Sequence, residues 1–221
     1  MQISEEILVE KPRLWGTGTT RTLRPIWVAE EISLDYDLVS MGPRTGETKT
    51  ADYTKLNPKQ KIPYLTDCQL QLSESIAISQ YLIDQYDSEQ KLYAAKTVVE
   101  KAKYQEWCCY LLAELDETSL YVIRRHQDLK EIYGEAPEAV AAAFEYFRKY
   151  LNVTATVMTD PFIVGGRFSL ADVILTSCLI WAQKYGIDIP ASLKAYFENI
   201  VRREAFQRAI KINKTQFEGV K

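Results

Sequence analysis

Two short stretches of this chain gather residue types that could do chemistry. The first, "NPKQKIPYLTDCQLQLSESIAISQYLID" (57–84), sets Ile62-Pro63 before a short apolar run and Ser73-Glu74-Ser75 before a helical one. A helix start offers free N–H groups and the positive end of its dipole. A hydroxyl and an acid there can cap the helix or help to hold a charged ligand. The second, "WGTGTTRTLRP" (15–25), crowds Thr17, Thr19, Thr20 and Arg21 into one turn. It offers four hydroxyls and no cysteine.

Other reactive residues point nowhere. Cys68, Cys108, Cys109 and Cys178 form no CxxC pair and have no zinc-ligand spacing with His126, the sole histidine. No metal is expected, and the adjacent Cys108-Cys109 reads as small apolar packing in a reducing, cytoplasmic setting. His126 has no visible partner for base chemistry. Arg124 and Arg125 beside it suit either an anionic acceptor or a solvated charge run.

These residues must be positioned by a fold, and 221 residues with 47% hydrophobic content can build one large domain or two small ones. A net charge of −3 argues against nucleic-acid or anionic-membrane binding. No apolar run reaches the length of a membrane span. "MQISEEILVEK" lacks the apolar core of a leader, so no signal peptide is expected.

"PRLWGT" (12–17) reads as a first strand and 22–33 as a helix, with Pro25 placed in its first turn. Residues 34–41 alternate as a strand. The stretch 42–58 reads as loop with one irregular helical turn. Two short strands and a helix over 74–86 follow, giving β-α-β-loop-β-β-α. After a polar linker only helical periodicity remains. Tyr104, Trp107, Cys108, Leu111, Leu112 and Leu115 predict one long amphipathic helix, and 137–159 another. "FSLADVILTSCLIWAQKYG" is apolar on nearly all sides and reads as a buried central helix, capped by Ser169 and Asp172. Two shorter helices are expected near 191–202 and 204–211.

An α/β thioredoxin-like half followed by an all-α helical-bundle half resembles the cytosolic glutathione S-transferases. "NPKQKIPYL", "LSESIAISQYL" and "GGRFSLADVIL" are similar to that family's Asn-Pro-x-Gly-Lys-Val-Pro stretch, its Glu-Ser-x-Ala-Ile helix start and its capping motif, in the same order. The departure is Gln60, where the family usually carries glycine. The resemblance implies a glutathione-binding domain over 1–87, a linker over 88–96 and a helical domain over 97–221.

It also implies roles. Pro63 would be a cis-proline that turns the Ile62 backbone toward the cysteinyl part of glutathione, paired like an added strand. Ser75 and the helix N–H groups would take the γ-glutamyl carboxylate, and Glu74 or a neighbouring acid would face the ammonium. Lys49 and Lys61 would take the glycyl carboxylate. Thr19 falls at the catalytic hydroxyl position, with Thr17 and Thr20 as alternatives, and would donate to the glutathione thiolate. A threonine there resembles bacterial nu-like or theta-like classes, although Arg21 stands where an asparagine is expected. The acceptor, a small hydrophobic electrophile or a peroxide, would meet Tyr104, Trp107, Tyr110 and Leu111. The family further implies a homodimer with glutathione as co-substrate. The implied activity is glutathione transfer; the alternatives are a glutathione-dependent disulfide reductase or peroxidase, and a non-catalytic binding protein on the same fold.

Overall fold

The computed structural model describes residues 11–68, 70–158 and 160–215. The leader reading falls on residues 1–11, nearly all of which lie outside them. The first half is a four-stranded mixed sheet in the order β2-β1-β3-β4. Strand β1 (Arg13–Trp15) pairs parallel with β2 (Asp37–Val39) and antiparallel with β3 (Tyr64–Asp67), which pairs antiparallel with β4 (Leu70–Ser73). The parallel pair needs a crossover, and helix α1 (Thr20–Glu31) supplies it. A 3-10 turn at Glu47–Lys49 and a short helix α2 (Ala51–Leu56) occupy the stretch read as loop. Helix α3 (Ser75–Tyr86) closes this half.

Helix α1 starts at Thr20, two residues before the spacing suggests, because Thr19 and Thr22 form a reciprocal capping box. Pro25 therefore sits in the second turn rather than the first, and its missing N–H leaves the Arg21 carbonyl without its helical donor. Burial of Leu23, Ile26, Trp27, Val28 and Ala29 holds the helix in place nonetheless.

The second half is helical. Helix α4 (Val98–Tyr110) runs without interruption into a π-helical stretch (Leu111–Leu120), one turn α5 (Tyr121–Ile123) and a second π stretch (Arg124–Asp128). The expected amphipathic helix thus widens at Leu111, and Leu112 of the predicted stripe turns 36% exposed. Helices α6 (Lys130–Tyr133), α7 (Pro137–Val157), α8 (Leu170–Lys184), α9 (Ala191–Ile200) and α10 (Glu204–Thr215) follow. Helix α8 is the buried centre. Asp172 accepts from Ser169 N–H (2.8 Å) and Oγ (2.7 Å), from Ile163 N–H (3.0 Å) and from Tyr196 OH (3.0 Å). Among the described residues, no helix is long and apolar enough to cross a membrane.

Candidate functional site

The threonine turn begins where β1 ends. Gly16 has φ +105°, and a Cβ there would lie 2.5 Å from Ile62 Cβ, so the turn passes directly against the Ile62-Pro63 segment. Thr17 faces inward, 1% exposed, with Oγ1 3.3 Å from Ser40 Oγ. Thr19 is the N-cap of α1: its Oγ1 accepts from Thr22 N–H at 2.9 Å and lies 3.1 Å from Thr22 Oγ1. The capping bond uses a lone pair, so the Thr19 O–H proton remains available to a second acceptor. Asn213 of α10, distant in sequence but packed against α1, holds this turn. Its Oδ1 accepts from Gly18 N–H (3.0 Å) and Thr22 Oγ1 (2.9 Å), and its Nδ2 donates to the Thr19 carbonyl (3.1 Å).

Opposite lies an open backbone edge. The Ile62-Pro63 peptide is cis. The Lys61 carbonyl accepts from Tyr53 OH and Asn57 Nδ2, both at 2.8 Å. Among the described residues, no hydrogen bond engages the Ile62 N–H or C=O. Gln60 keeps the left-handed backbone of a glycine position, φ 54°, with its Nε2 on Thr54 Oγ1 at 3.0 Å. Glu74 is also held at positive φ (76°) just before α3, a sparsely populated conformation of the kind that concentrates at binding sites. Its carboxylate meets Lys59 Nζ at 3.2 Å, both side chains well exposed.

Between turn and edge opens a cleft of about 590 Å³, within the usual range for small-ligand sites. Thr19, Thr20, Arg21, Lys49, Lys61 and Ile62 line it from the first half, and Tyr121, Arg124, Tyr133 and Trp181 from the second. Its charged lining is entirely cationic, in a chain whose net charge is −3.

Comparison with known proteins decides what this arrangement belongs to. The glutathione S-transferase N-terminal domain model matches residues 11–84, and the C-terminal domain model matches 111–204. The chain belongs to the glutathione S-transferase family. It is 29% identical to glutathione S-transferase GstA of Escherichia coli O157:H7, covering 92% of this chain and 96% of that one. The theta class glutathione S-transferase of Xanthomonas axonopodis pv. citri, solved with glutathione bound, superposes with a TM-score of 0.74 at 26% identity, over 90% of this chain and 97% of that one. The glutathione transferase URE2P8 of Phanerochaete chrysosporium has the same fold, with a TM-score of 0.83 at 21% identity over 98% and 99% of the two chains.

Within this transferase-family fold the sequence candidates separate, and buried Thr17 is not among the cleft residues. Thr19, Thr20, Arg21, Lys49, Lys61 and Ile62 meet in one cleft, with Pro63 buried behind them. At the start of α3, Glu74 meets the cleft residue Lys59, while Ser75 is not among the lining residues. Ser75 is 7% exposed and its Oγ accepts from Arg24 Nη1 at 3.3 Å.

Tyr104, Trp107, Tyr110 and Leu111 do not line the cleft, which corrects the acceptor expectation. Helix α4 turns that face toward α3 and α7. Tyr104 OH donates to Gln80 Oε1 at 2.7 Å, Tyr110 OH donates to the Tyr150 carbonyl at 2.8 Å, Trp107 packs on Tyr110, and Leu111 is fully buried.

Arg21 lines the cleft, but its charge is met within the chain. Its guanidinium pairs with Asp116 and Glu117 and lies 4.3 Å from the Tyr121 ring centre. Burial alone would lower its pKa, but the two carboxylates outweigh that and hold it above the ordinary value.

The residues that sequence reasoning missed form a buried network. Arg24, 0% exposed, donates to Ser177 Oγ (2.8 Å) and Ser75 Oγ and pairs with Asp116, itself 0% exposed. Burial alone would raise the Asp116 pKa; Arg24 and Arg21 outweigh it and hold the carboxyl below its usual range. An arginine amid the apolar "LRPIWVA" was the one visible signal. The thiols offer no rival chemistry in the core, since burial pushes Cys108 and Cys178 up to about 12.

Proposed function

We propose that the protein is a glutathione S-transferase that stabilises the glutathione thiolate for attack on an electrophile. The observation that carries this reading is the unpaired Ile62 backbone facing the Thr19 turn across one cleft. Glutathione docks its cysteinyl backbone on Ile62 in this reading, which brings its sulfur to the α1 N-terminus. Thr19 then turns its O–H from Thr22 to the sulfur, and the positive end of α1 adds to the stabilisation. A thiol lowered by about two units from its usual ~8.5 gains roughly 2.7 kcal/mol for the thiolate form. Ser75 and the first N–H groups of α3 receive the γ-glutamyl carboxylate, Glu74 exchanges Lys59 for the ligand ammonium, and Lys49 and Lys61 attract the glycyl carboxylate.

Residues 1–87 form the glutathione-binding domain in this proposal, 88–96 the linker and 97–221 the acceptor-side domain. A cytoplasmic homodimer completes it. No disulfide links the described cysteines, in keeping with a reducing setting.

Calorimetric titration with reduced and oxidised glutathione, on the wild type and Thr19→Ala, tests the reading. The expected result is micromolar to low-millimolar binding of the reduced form by both proteins, with conjugation activity lost in the variant. Tighter binding of the oxidised form would point to disulfide reduction instead. Binding of neither form would refute the glutathione site.

A further inference from the structure

The acceptor end of the cleft holds two cations that glutathione binding leaves unused. Arg44 enters from the loop after β2 and Arg124 from the second π stretch, so they approach from opposite halves of the fold. Among the described residues neither forms an ion pair, and no hydrogen bond of either side chain is found. Arg124 is half-buried and lies 5.7 Å from the Trp181 ring centre. Its acidic neighbour Asp128 is engaged by Lys184 Nζ at 2.6 Å and Tyr185 OH at 3.0 Å.

A partly desolvated guanidinium such as Arg124 without a carboxylate is costly, and exposed Arg44 brings a like charge to the same cleft. Burial lowers the Arg124 pKa, and the like charge of Arg44 lowers it further. Around them the lining is apolar and partly open to solvent, with Ile132 59% and Tyr133 41% exposed. Guanidinium forks match carboxylates in geometry, and flat apolar walls suit a planar body.

We propose that the acceptor subsite selects a planar electrophile carrying a carboxylate, clamped between Arg44 and Arg124 with its ring against the Trp181 and Tyr133 side of the cleft. This rests on the transferase reading for its chemistry, while the clamp itself is a binding property. The step is ordinary aromatic substitution. The glutathione thiolate sulfur bonds the ring carbon bearing a halide, the carbon–halogen bond breaks, and halide leaves with the bonding pair.

The test compares a chlorodinitrobenzoate, its chlorine flanked by the nitro groups and para to the carboxyl, with its methyl ester. Each kcat/KM is divided by the uncatalysed rate with glutathione. The wild type is expected to prefer the carboxylate, and that preference to fall about ten- to hundredfold in Arg124→Gln and Arg44→Gln, the usual effect of losing a charge-assisted hydrogen bond. Equal treatment of acid and ester by the wild type, or a preference retained in both variants, would overturn the proposal.

A second measurement separates the two readings. Dinitrobenzoate, which has no leaving group, is titrated without glutathione into the wild type and the Arg44→Gln/Arg124→Gln double variant. Binding lost in the double variant supports the clamp even if glutathione itself does not bind. Failure of the wild type to bind it, or equal binding by both proteins, refutes the clamp and leaves the glutathione reading standing.

Discussion

Replacing Asp116 by asparagine keeps the side-chain shape and removes only the charge. In the wild type this carboxylate is wholly buried and neutralises Arg24, also wholly buried, and Arg21. Without it, two guanidiniums remain with one exposed acid, Glu117, on Arg21 alone. Removing one partner of a buried ion pair costs about 3–5 kcal/mol, because the remaining charge stays desolvated. For a chain of this size that corresponds to a melting temperature lower by about 6–20 °C.

Urea denaturation of Asp116→Asn and wild type at pH 7 should show this gap at unchanged m-value. The sign of its pH dependence follows from the depressed carboxyl. Asp116 contributes its full stability well above the unfolded value of about 3.9. It loses up to about 1.4 kcal/mol per pH unit as acid takes the solution below that value toward the folded one. The two proteins should therefore converge in acid. A gap under about 0.5 kcal/mol at neutral pH, or one that widens in acid, would refute the view that Asp116 neutralises the buried arginines.

Three further outcomes are expected. Asn213→Ala should destabilise the chain by about 1–3 kcal/mol, chiefly through the unsatisfied Gly18 N–H. It should also raise the apparent thiol pKa in the pH–rate profile of glutathione turnover; an unchanged profile would reduce Asn213 to packing. Asp172→Ala strands two buried backbone N–H groups and the Tyr196 hydroxyl, and should cost at least about 3 kcal/mol, seen as poor soluble yield and a lowered urea midpoint. Gly16→Ala puts a Cβ against Ile62 at a strained φ, so glutathione affinity measured calorimetrically should fall tenfold or more, and an unaltered affinity would contradict the close approach.

Strand and helix order was legible because periodicity reports which face is buried, and both halves have strong one-sided or all-round apolar patterns. Ile62-Pro63 and the α3 start stood out because proline and capping residues act locally, whereas the place of Thr19 came from the family resemblance. The acceptor side was not. The spacing Tyr104, Trp107, Leu111 is that of a core stripe, and which neighbour it meets depends on how α4 packs. The π stretches widen the helix by inserting residues into each turn, which carries Asp116 inward and Arg124 to the cleft without any signature in spacing. Asn213 and Arg24 act across 191 and 153 residues of chain, where single-sequence reading has no reach.

The reach of Asn213 has a consequence for how the protein is made. Gly18 and Thr19 are synthesised early, but the amide that fixes them belongs to the last described helix, 195 residues later. Domains generally fold as units in order of synthesis. On the ribosome the first half can form its sheet while the turn proposed to hold the sulfur still lacks its brace. A nascent chain stalled before α10 should have the sheet in place and bind glutathione poorly, so that the binding site matures only as synthesis passes residue 213.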